Sequence, residues 1–351
     1  MDKPFLKRLR RIDPYVPGEQ PQSDDIIKLN ANESPYPPAP GVQQALRDFD
    51  TSRLALYPDA NGKALKNALA NRFGVKPSQV FLGNGSDDVL ALAFQSFFCS
   101  DEPVLYPDIT YSFYPVWCDL FRIPYETVPL DENFCVNIRD YDRPNGGIVL
   151  PNPNAPTGRG VSLAFLEDLL QHNADCVVII DEAYVDFGAQ SAVPLIEKYK
   201  NLLVVQTMSK SRSLAGLRIG YALGSETLIA TLEAVKNSYN SYTMDAVALA
   251  AGKAAVADEA YFQETCRKVV ATRERTADAL RGLGFVVPPS LTNFLFVTHP
   301  DKNASDIFAA LRERGIFIRY FKLPRIDNYL RITVGTDEQM DRLIDALRDL
   351  L

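Results

Sequence analysis

The amino-acid sequence predicts an α/β fold: a large domain on a mostly parallel sheet flanked by helices, followed by a smaller α/β domain. Three observations carry this. From about residue 78 to about residue 224, short apolar runs alternate with amphipathic stretches of helical length. The run Cys176-Val-Val-Ile-Ile180 has no polar alternation, as a parallel strand covered on both faces requires, and it is too short and too β-branched for a buried helix. After about residue 240 the texture changes to a long stretch rich in alanine and charge, and then to a second mixed segment.

In chain order, the first ~30 residues, with Pro14, Pro17 and Pro21, read as an extended arm. Strands are expected over 79–82, 103–106, 125–128, 148–150, 176–180, 202–205 and 219–223, which makes seven. Helices are expected between them, for example over 86–98 and 162–171, each opening on a serine suited to an N-cap, Ser86 and Ser162. A long helical region follows over 244–283. Strands over 294–297, 316–319 and 329–334 then alternate with helices over 304–314 and 337–350. The expected division is an arm over 1–35 packing with the small domain, a large domain over 36–245 and a small domain over 246–351. There is no internal repeat and no low-complexity linker.

With 351 residues, 46% of them hydrophobic, the chain can bury a large core in two lobes. Its charge is −7, from 37 basic against 44 acidic residues, with the two signs interspersed. No nucleic-acid or anionic-membrane partner is expected from that balance, whereas a small charged metabolite is compatible with it. The five cysteines are odd in number, scattered and without a CxxC pair, and read as buried thiols in a reducing cytoplasm. The N-terminus is basic but lacks the apolar core of a signal peptide, and no run approaches the ~20 apolar residues of a membrane span. The two histidines, His172 and His299, have no ligand-spaced partners, so no metal site and no histidine triad is expected. A proton carrier would be a lysine, a tyrosine or a carboxylate.

In an open α/β sheet the ligand site gathers at the carboxyl ends of the strands. Collected there are Gly83-Asn-Gly-Ser-Asp-Asp88, Tyr106-Pro-Asp-Ile-Thr-Tyr111, Pro151-Asn-Pro-Asn-Ala-Pro-Thr-Gly158, Asp181-Glu-Ala-Tyr184 and Thr207-Met-Ser-Lys-Ser-Arg-Ser213 with Arg218. Together they suit a phosphorylated, aromatic, carbonyl-bearing cofactor. Gly85 and Ser86 lead into a helix whose first N–H groups have no internal partner, so a phosphate can approach that backbone; an ordinary turn is the alternative. Ser209 and Arg218 would add a hydroxyl and a guanidinium. Asp181 ends a buried strand, where a carboxylate needs a cationic partner such as a protonated pyridine nitrogen, or else caps a helix. Tyr184 could bond a ring hydroxyl and Tyr111 could stack on the ring, unless both are core tyrosines. Lys210 could form an imine with the cofactor and later act as the base at the substrate Cα, which requires a lowered pKa. Arg218 and the ring are neighbours of the kind that lower it.

These residues resemble those of the fold-type I pyridoxal-phosphate aminotransferases of class I/II. The segments Asp13-Pro-Tyr-Val-Pro-Gly18, Lys28-Leu-Asn-Ala-Asn-Glu-Ser-Pro-Tyr36, Tyr57-Pro-Asp59 and Leu330-Arg-Ile-Thr-Val-Gly-Thr336 extend the likeness over nearly the whole chain and narrow it to the histidinol-phosphate branch. The resemblance implies pyridoxal 5′-phosphate (PLP) as cofactor, bonded to Lys210, with Asp181 at the ring nitrogen, Tyr184 at the ring hydroxyl, Tyr111 on the ring face, and Gly85, Ser86, Asp87, Ser209 and Arg218 around the phosphate. It implies a homodimer with shared active sites, Tyr57 reaching the other subunit's cofactor. Tyr15, Asn32, Arg319 and Arg331 would bind substrate, namely L-glutamate or 2-oxoglutarate and histidinol phosphate. Aromatic or broad-specificity aminotransferases and threonine-phosphate decarboxylases resemble the same motifs. A non-catalytic homologue would have to retain Lys210, Asp181, Arg218 and Arg331 without use, and a nicotinamide dehydrogenase lacks its GxGxxG here.

Two departures stand out. The family usually has asparagine directly before Pro-Thr-Gly, at the ring hydroxyl, whereas this chain has Ala155 there and Asn154 before it. Asn154 is expected to take the role through a shifted loop, with Tyr184 as the other donor. Arg212 and Ser213 stand where small or aromatic residues are common, for no reason readable in the sequence.

Overall fold

The computed structural model describes residues 4–16, 18–21 and 26–351. Residues 1–3 and 22–25 of the arm, and Pro17 of its Pro-Tyr-Val-Pro-Gly segment, lie outside them. The strands in chain order are β1 (Ile27–Lys28), β2 (Val80–Asn84), β3 (Val104–Pro107), β4 (Tyr125–Val128), β5 (Gly147–Pro151), β6 (Val178–Asp181), β7 (Leu202–Thr207), β8 (Ile219–Gly224), β9 (Phe294–Val297), β10 (Ile316–Phe317), β11 (Arg319–Tyr320) and β12 (Leu330–Thr333). All seven strands expected over 79–223 form one sheet, in the order β2-β8-β7-β6-β5-β3-β4.

The middle strands are apolar throughout because both faces are covered. On one face, Ile148, Leu150, Val178, Ile180, Leu202 and Val204 join one cluster. Their alternate neighbours Val149, Ile179, Leu203 and Val205 join the cluster on the other face. Each such side chain, fully buried, contributes about 1.5–3 kcal/mol.

β8 runs antiparallel to both β7 and β2, while the other pairings are parallel. Its direction matters for the site. The loop after β7 turns back without crossing the sheet, so β8 begins at the edge where its neighbours end. Arg218, the residue before β8, therefore lies with the strand carboxyl ends although it follows no apolar run.

Four local expectations are corrected. The cysteines are not all buried: Cys118 and Cys266 are, whereas Cys135 and Cys176 are half-buried and Cys99 is exposed. Ser162 caps its helix, accepting from the Phe165 N–H, but Ser86 is the first residue of helix Ser86–Phe97, and the cap is Gly85 at φ 86°. The helical region over 244–283 is two helices, Ala246–Ala257 and Glu259–Gly282, broken at Asp258, whose carboxylate accepts from the Tyr261 N–H. The strand over 316–319 divides between two sheets: β10 pairs in parallel with β1 from the arm, and β11 pairs with β12.

Ile27 and Leu29 belong to the apolar cluster formed by Leu295, Ile307, Leu311 and Leu343, so the end of the arm is built into the C-terminal α/β unit. Helix Ala246–Ala257 packs against helices Pro40–Arg47 and Lys63–Phe73 beside the large sheet. A smaller cluster, Ile109, Leu130 and Phe134 with Phe296 and Ile326, spans the two units. Arg325 reinforces it, donating to Asp108 Oδ2 at 2.8 Å and to the Leu130 and Asp131 carbonyls. Among the described residues no helix is long and apolar enough to cross a membrane.

Candidate active site

A cavity of about 460 Å³ opens where the carboxyl ends of β5, β6 and β7 meet the arm and the C-terminal sheet. Its floor comes from strand ends. Lys210 follows β7 by three residues, and its Nζ donates to the Ala31 carbonyl at 3.0 Å. Burial lowers its pKa to about 8, helped first by Arg331 and only weakly by Arg218, so the expected cause in Arg218 is real but secondary.

Asp181 ends β6 and is buried. Its Oδ2 accepts from the Tyr114 hydroxyl at 2.8 Å and its Oδ1 from the Ala183 N–H at 3.2 Å. Burial still pushes its pKa up to about 6 against those two bonds, which marks a carboxylate short of positive charge. Tyr184 lies three residues on, and its oxygen accepts from Asn32 Nδ2 at 2.9 Å. That leaves the phenolic hydrogen free to donate into the cavity.

Beside this floor is a cradle with room for an anion. Gly85 takes a left-handed φ, and a Cβ there would lie 2.5 Å from Arg218 Nη2. Gly220, opposite in β8, would place a Cβ 2.3 Å from the Ser86 nitrogen. Glycine at both positions keeps the start of helix Ser86–Phe97 open, where unpaired N–H groups point outward. Arg218 Nη1 lies 3.4 Å from Ser209 Oγ and Nη2 lies 3.3 Å from Asp87 Oδ2. Asp87 Oδ1 accepts from the Tyr111 hydroxyl at 2.9 Å, so Asp87 ties the aromatic wall to the cradle.

The opposite wall carries the arginines. Arg319 and Arg331 are cross-strand partners in β11 and β12. Arg331 donates to the Asn30 carbonyl at 2.9 Å and lies over the rings of Phe294 and Phe321, while its buried Nε has no partner among the described residues. Tyr15 stacks on Phe113 at 4.3 Å at the margin of the cavity.

Residues 24–347 match the family described as aminotransferase class I and II. The chain belongs to this family. A protein of Acinetobacter baumannii (strain SDF) named histidinol-phosphate aminotransferase is 55% identical over 97% of this chain and 95% of its own length. One of Dechloromonas aromatica (strain RCB), named histidinol-phosphate aminotransferase 2, is 54% identical over 100% and 99%. The crystal structure of histidinol-phosphate aminotransferase from Sinorhizobium meliloti in complex with pyridoxal-5′-phosphate superposes with a TM-score of 0.83 at 28% identity, over 93% of this chain and 92% of that one. The fold-type I architecture expected from the sequence is thereby shown.

Within this aminotransferase, the cavity wall brings together Tyr15, Asn32, Ser86, Asp87, Tyr111 and Asp181, and likewise Tyr184, Ser209, Lys210, Arg218, Arg319 and Arg331. Gly85 shapes the cradle from behind. Two expected residues lie elsewhere. Tyr57 is 83% exposed and stacks on Tyr242 at 4.6 Å. Asn154 is buried behind the wall, its amide donating to the Ile109 carbonyl and Thr157 and accepting from Thr110, while Ala155 lines the cavity.

The structure accounts for Arg212 and Ser213. Arg212 is buried over the Phe262 ring at 4.0 Å, and it donates to the Ala255 carbonyl and to Glu259 Oε2. It thus grips both sides of the break at Asp258. Ser211 donates to Asp186 and Ser213 to Ser34 Oγ. Together they anchor the loop that presents Lys210. Sequence reasoning missed Tyr114 and Gly220. The signal for Tyr114 was the spacing Tyr111-x-x-Tyr114 at a helix start, which places two hydroxyls on one side of the turn.

Proposed function

We propose that this aminotransferase is a histidinol-phosphate aminotransferase, moving an amino group reversibly between L-glutamate and imidazole-acetol phosphate to give 2-oxoglutarate and L-histidinol phosphate. The observation that carries the reading is one cavity in which a lysine of lowered pKa and a buried carboxylate face two adjacent arginines, in a chain 55% identical to a protein of that name.

The residues fit PLP. The glycine cradle at Gly85 and Gly220 leaves the helix start open for its phosphate, with Ser86, Ser209 and Arg218 as donors. Asp87 holds Arg218 and Tyr111 in place for that group. Asp181 is a buried anion wanting the cation that a protonated ring nitrogen supplies, and Tyr111 offers a face for the ring. Tyr184, its oxygen already engaged by Asn32, is the donor to the ring hydroxyl in place of Asn154, whose amide is committed elsewhere. When bound, PLP supplies a carbonyl that condenses with amines and an electron-poor ring that takes up carbanion charge.

Lys210 Nζ would be the amine that condenses with that carbonyl, with release of water, and holds the cofactor between turnovers. Once displaced by the substrate amine, Nζ would take the proton from the substrate Cα and deliver it across the shared nitrogen to the former carbonyl carbon, as a base with a pKa near 8 can do at working pH. The Ala31 carbonyl keeps Nζ within the cavity. Arg331 and Arg319, with Asn32 and Tyr15, bind the substrate's distant anion. A guanidinium accepts carboxylate and phosphate by the same paired hydrogen bonds, so one wall serves glutamate and histidinol phosphate in turn.

We further propose a cytoplasmic homodimer. Leu54, Leu56, Tyr57 and Tyr239 are 58%, 70%, 83% and 77% exposed, an apolar surface that supports burial against a second copy and Tyr57 as a donor to the partner's cofactor phosphate. The division into arm 1–35, large domain 36–245 and small domain 246–351 is retained as a proposal, with helix Ala246–Ala257 as the connecting piece.

The test is the visible spectrum of the PLP-loaded protein after addition of L-histidinol phosphate, phenylalanine or threonine phosphate. Rapid conversion with histidinol phosphate alone is expected. Conversion by phenylalanine instead would move the substrate to the aromatic class, and no band in a protein incubated with PLP would refute the cofactor.

A further inference from the structure

The two carboxylates on the cavity floor are each met by a tyrosine from one turn of chain: Tyr111 donates to Asp87 and Tyr114 to Asp181. The first pair is partly solvent-exposed. The second is sealed. Tyr114 is the second residue of helix Phe113–Phe121, and its side chain is fully buried. Its ring is fixed by Tyr106 at 5.6 Å, Tyr111 at 5.7 Å and Phe94 at 6.1 Å between centroids. The hydroxyl is therefore aimed at Asp181 Oδ2 by packing on several sides. With the Ala183 N–H on Oδ1, both carboxylate oxygens have a donor, and the plane of the group is set before any ligand arrives.

We propose that Tyr114 is a positioning residue for the transamination: its hydroxyl fixes the orientation of the Asp181 carboxylate and favours its anionic form, so that a proton stays on the cofactor's ring nitrogen. The inference rests on the reading that Asp181 faces that nitrogen. A hydrogen bond to a buried anion stabilises the anion over its protonated form. Between Asp181 and the ring nitrogen a single proton is shared, and each donor lost from Asp181 moves it away from the ring. A ring with less positive charge takes up carbanion charge less readily, so removal of the substrate Cα proton slows. Burial and the neighbouring Asp181 raise the Tyr114 pKa well above its ordinary value, so Tyr114 remains a donor throughout the working range.

The test uses the holoenzyme reconstituted with PLP labelled with ¹⁵N in the ring, and compares wild type, Tyr114→Phe, Asp181→Asn and a protein with 3-fluorotyrosine at position 114. Tyr114→Phe removes one oxygen and keeps the ring packing. Its ring-nitrogen signal should move part of the way toward the unprotonated value, and the single-turnover rate with histidinol phosphate should fall about tenfold, the effect of one hydrogen bond to a charged group. The KM should change by less than about twofold, because the hydroxyl does not touch the substrate. Fluorotyrosine, a stronger donor of nearly the same shape, should leave the ring nitrogen at least as protonated as in wild type, which a purely structural role would not distinguish from Tyr114→Phe. If Asp181→Asn moves the signal and Tyr114→Phe leaves both signal and rate at wild type, the role of Tyr114 is overturned and that of Asp181 stands. Should Tyr114→Phe prove unstable, fluorotyrosine lowering the protonation of the ring would overturn the role by itself. A signal unchanged even in Asp181→Asn would overturn the reading on which the inference rests.

Discussion

On the sheet side of the cavity, the strand ends that carry the chemical groups are shaped by bonds between near neighbours in sequence, although side chains such as Lys210 and Asp181 also have distant partners. The Ser209 N–H donates to Thr207 Oγ1 and the Ala183 N–H to Asp181, and Lys210 sits three residues past a buried strand. On the opposite side almost every bond is long-range. Asn32 N donates to Thr333 Oγ1 across 301 residues, Arg331 reaches the Asn30 carbonyl across the same separation, and Asn293 reaches the Asn32 carbonyl across 261. The floor is therefore preset by strand ends, whereas the lid exists only when the arm segment over 29–34 and the C-terminal sheet come together. Damage to the floor should appear in the chemical step, and damage to the lid in the binding of the anionic substrate.

The sharpest form of this contrast is Lys210→Ala. The cradle and Asp181 are untouched, so PLP should still bind noncovalently, while turnover falls by about 10³-fold or more with loss of the general base and covalent anchor. Turnover within tenfold of wild type, measured with L-histidinol phosphate, would place the base elsewhere and break the division between floor and lid. On the lid, Arg331→Met should lower kcat/KM by about 10²-fold, in the range for removing one partner of a buried charge-assisted contact. Most of that loss should lie in KM for glutamate and histidinol phosphate alike. A loss confined to kcat would mean that Arg331 serves the floor, through its effect on Lys210.

That effect gives a pH dependence. Lys210 has its pKa lowered to about 8 by burial and by Arg331. Only the neutral amine attacks a carbonyl, so the rate of PLP capture by the apoprotein should rise as pH increases through about 8 and level off above it. Between pH 7 and pH 9 the neutral fraction grows by about tenfold for a group titrating at that point. Stopped-flow absorbance checks the slope. In Arg331→Met the midpoint should move upward, because a positive neighbour has gone. A midpoint that stays in place would assign the shift to burial alone.

The same contrast explains what could be read in the sequence. All seven strands of the large sheet were legible, because burial on both faces writes a contiguous apolar run, and the residues after those runs were legible with them. The direction of β8 was not, since its connector sets it, and Arg218 entered the argument by its place in a motif. Tyr114 was missed because its bond to Asp181 spans 67 residues, and the local spacing Tyr111-x-x-Tyr114 does not name that partner. Arg319 and Arg331 were named only through resemblance. Their pairing across β11 and β12 is a property of register, which lies outside the reach of spacing within one segment. The role expected of Asn154 rested on position along the chain, whereas the structure turns its amide inward to Ile109, Thr157 and Thr110.

The smallest effect is the most informative about where floor and lid join. Asn32 stands at the junction, with a φ of 54°. Its Nδ2 donates to Tyr184 on the floor, and its Oδ1 accepts from Thr333 in β12. Replacing it with alanine removes two hydrogen bonds and leaves the Tyr184 oxygen without its donor, while the bonds made by the backbone of the arm segment remain. Only the bond to Tyr184 reaches the cofactor side; at about 0.5–1.5 kcal/mol for that bond, the expected loss in kcat/KM is about 2- to 13-fold. If floor and lid are independent, the loss appears in KM alone and the bound cofactor keeps its wild-type spectrum. If Asn32 is what directs the Tyr184 hydrogen toward the ring hydroxyl, the spectrum shifts as well and kcat falls with it. Because the asparagine usual at position 155 is absent, the second outcome is expected: the arm supplies by way of Tyr184 the orientation that the loop before Pro156 no longer provides, which makes the lid part of the cofactor's surroundings as well as the substrate's.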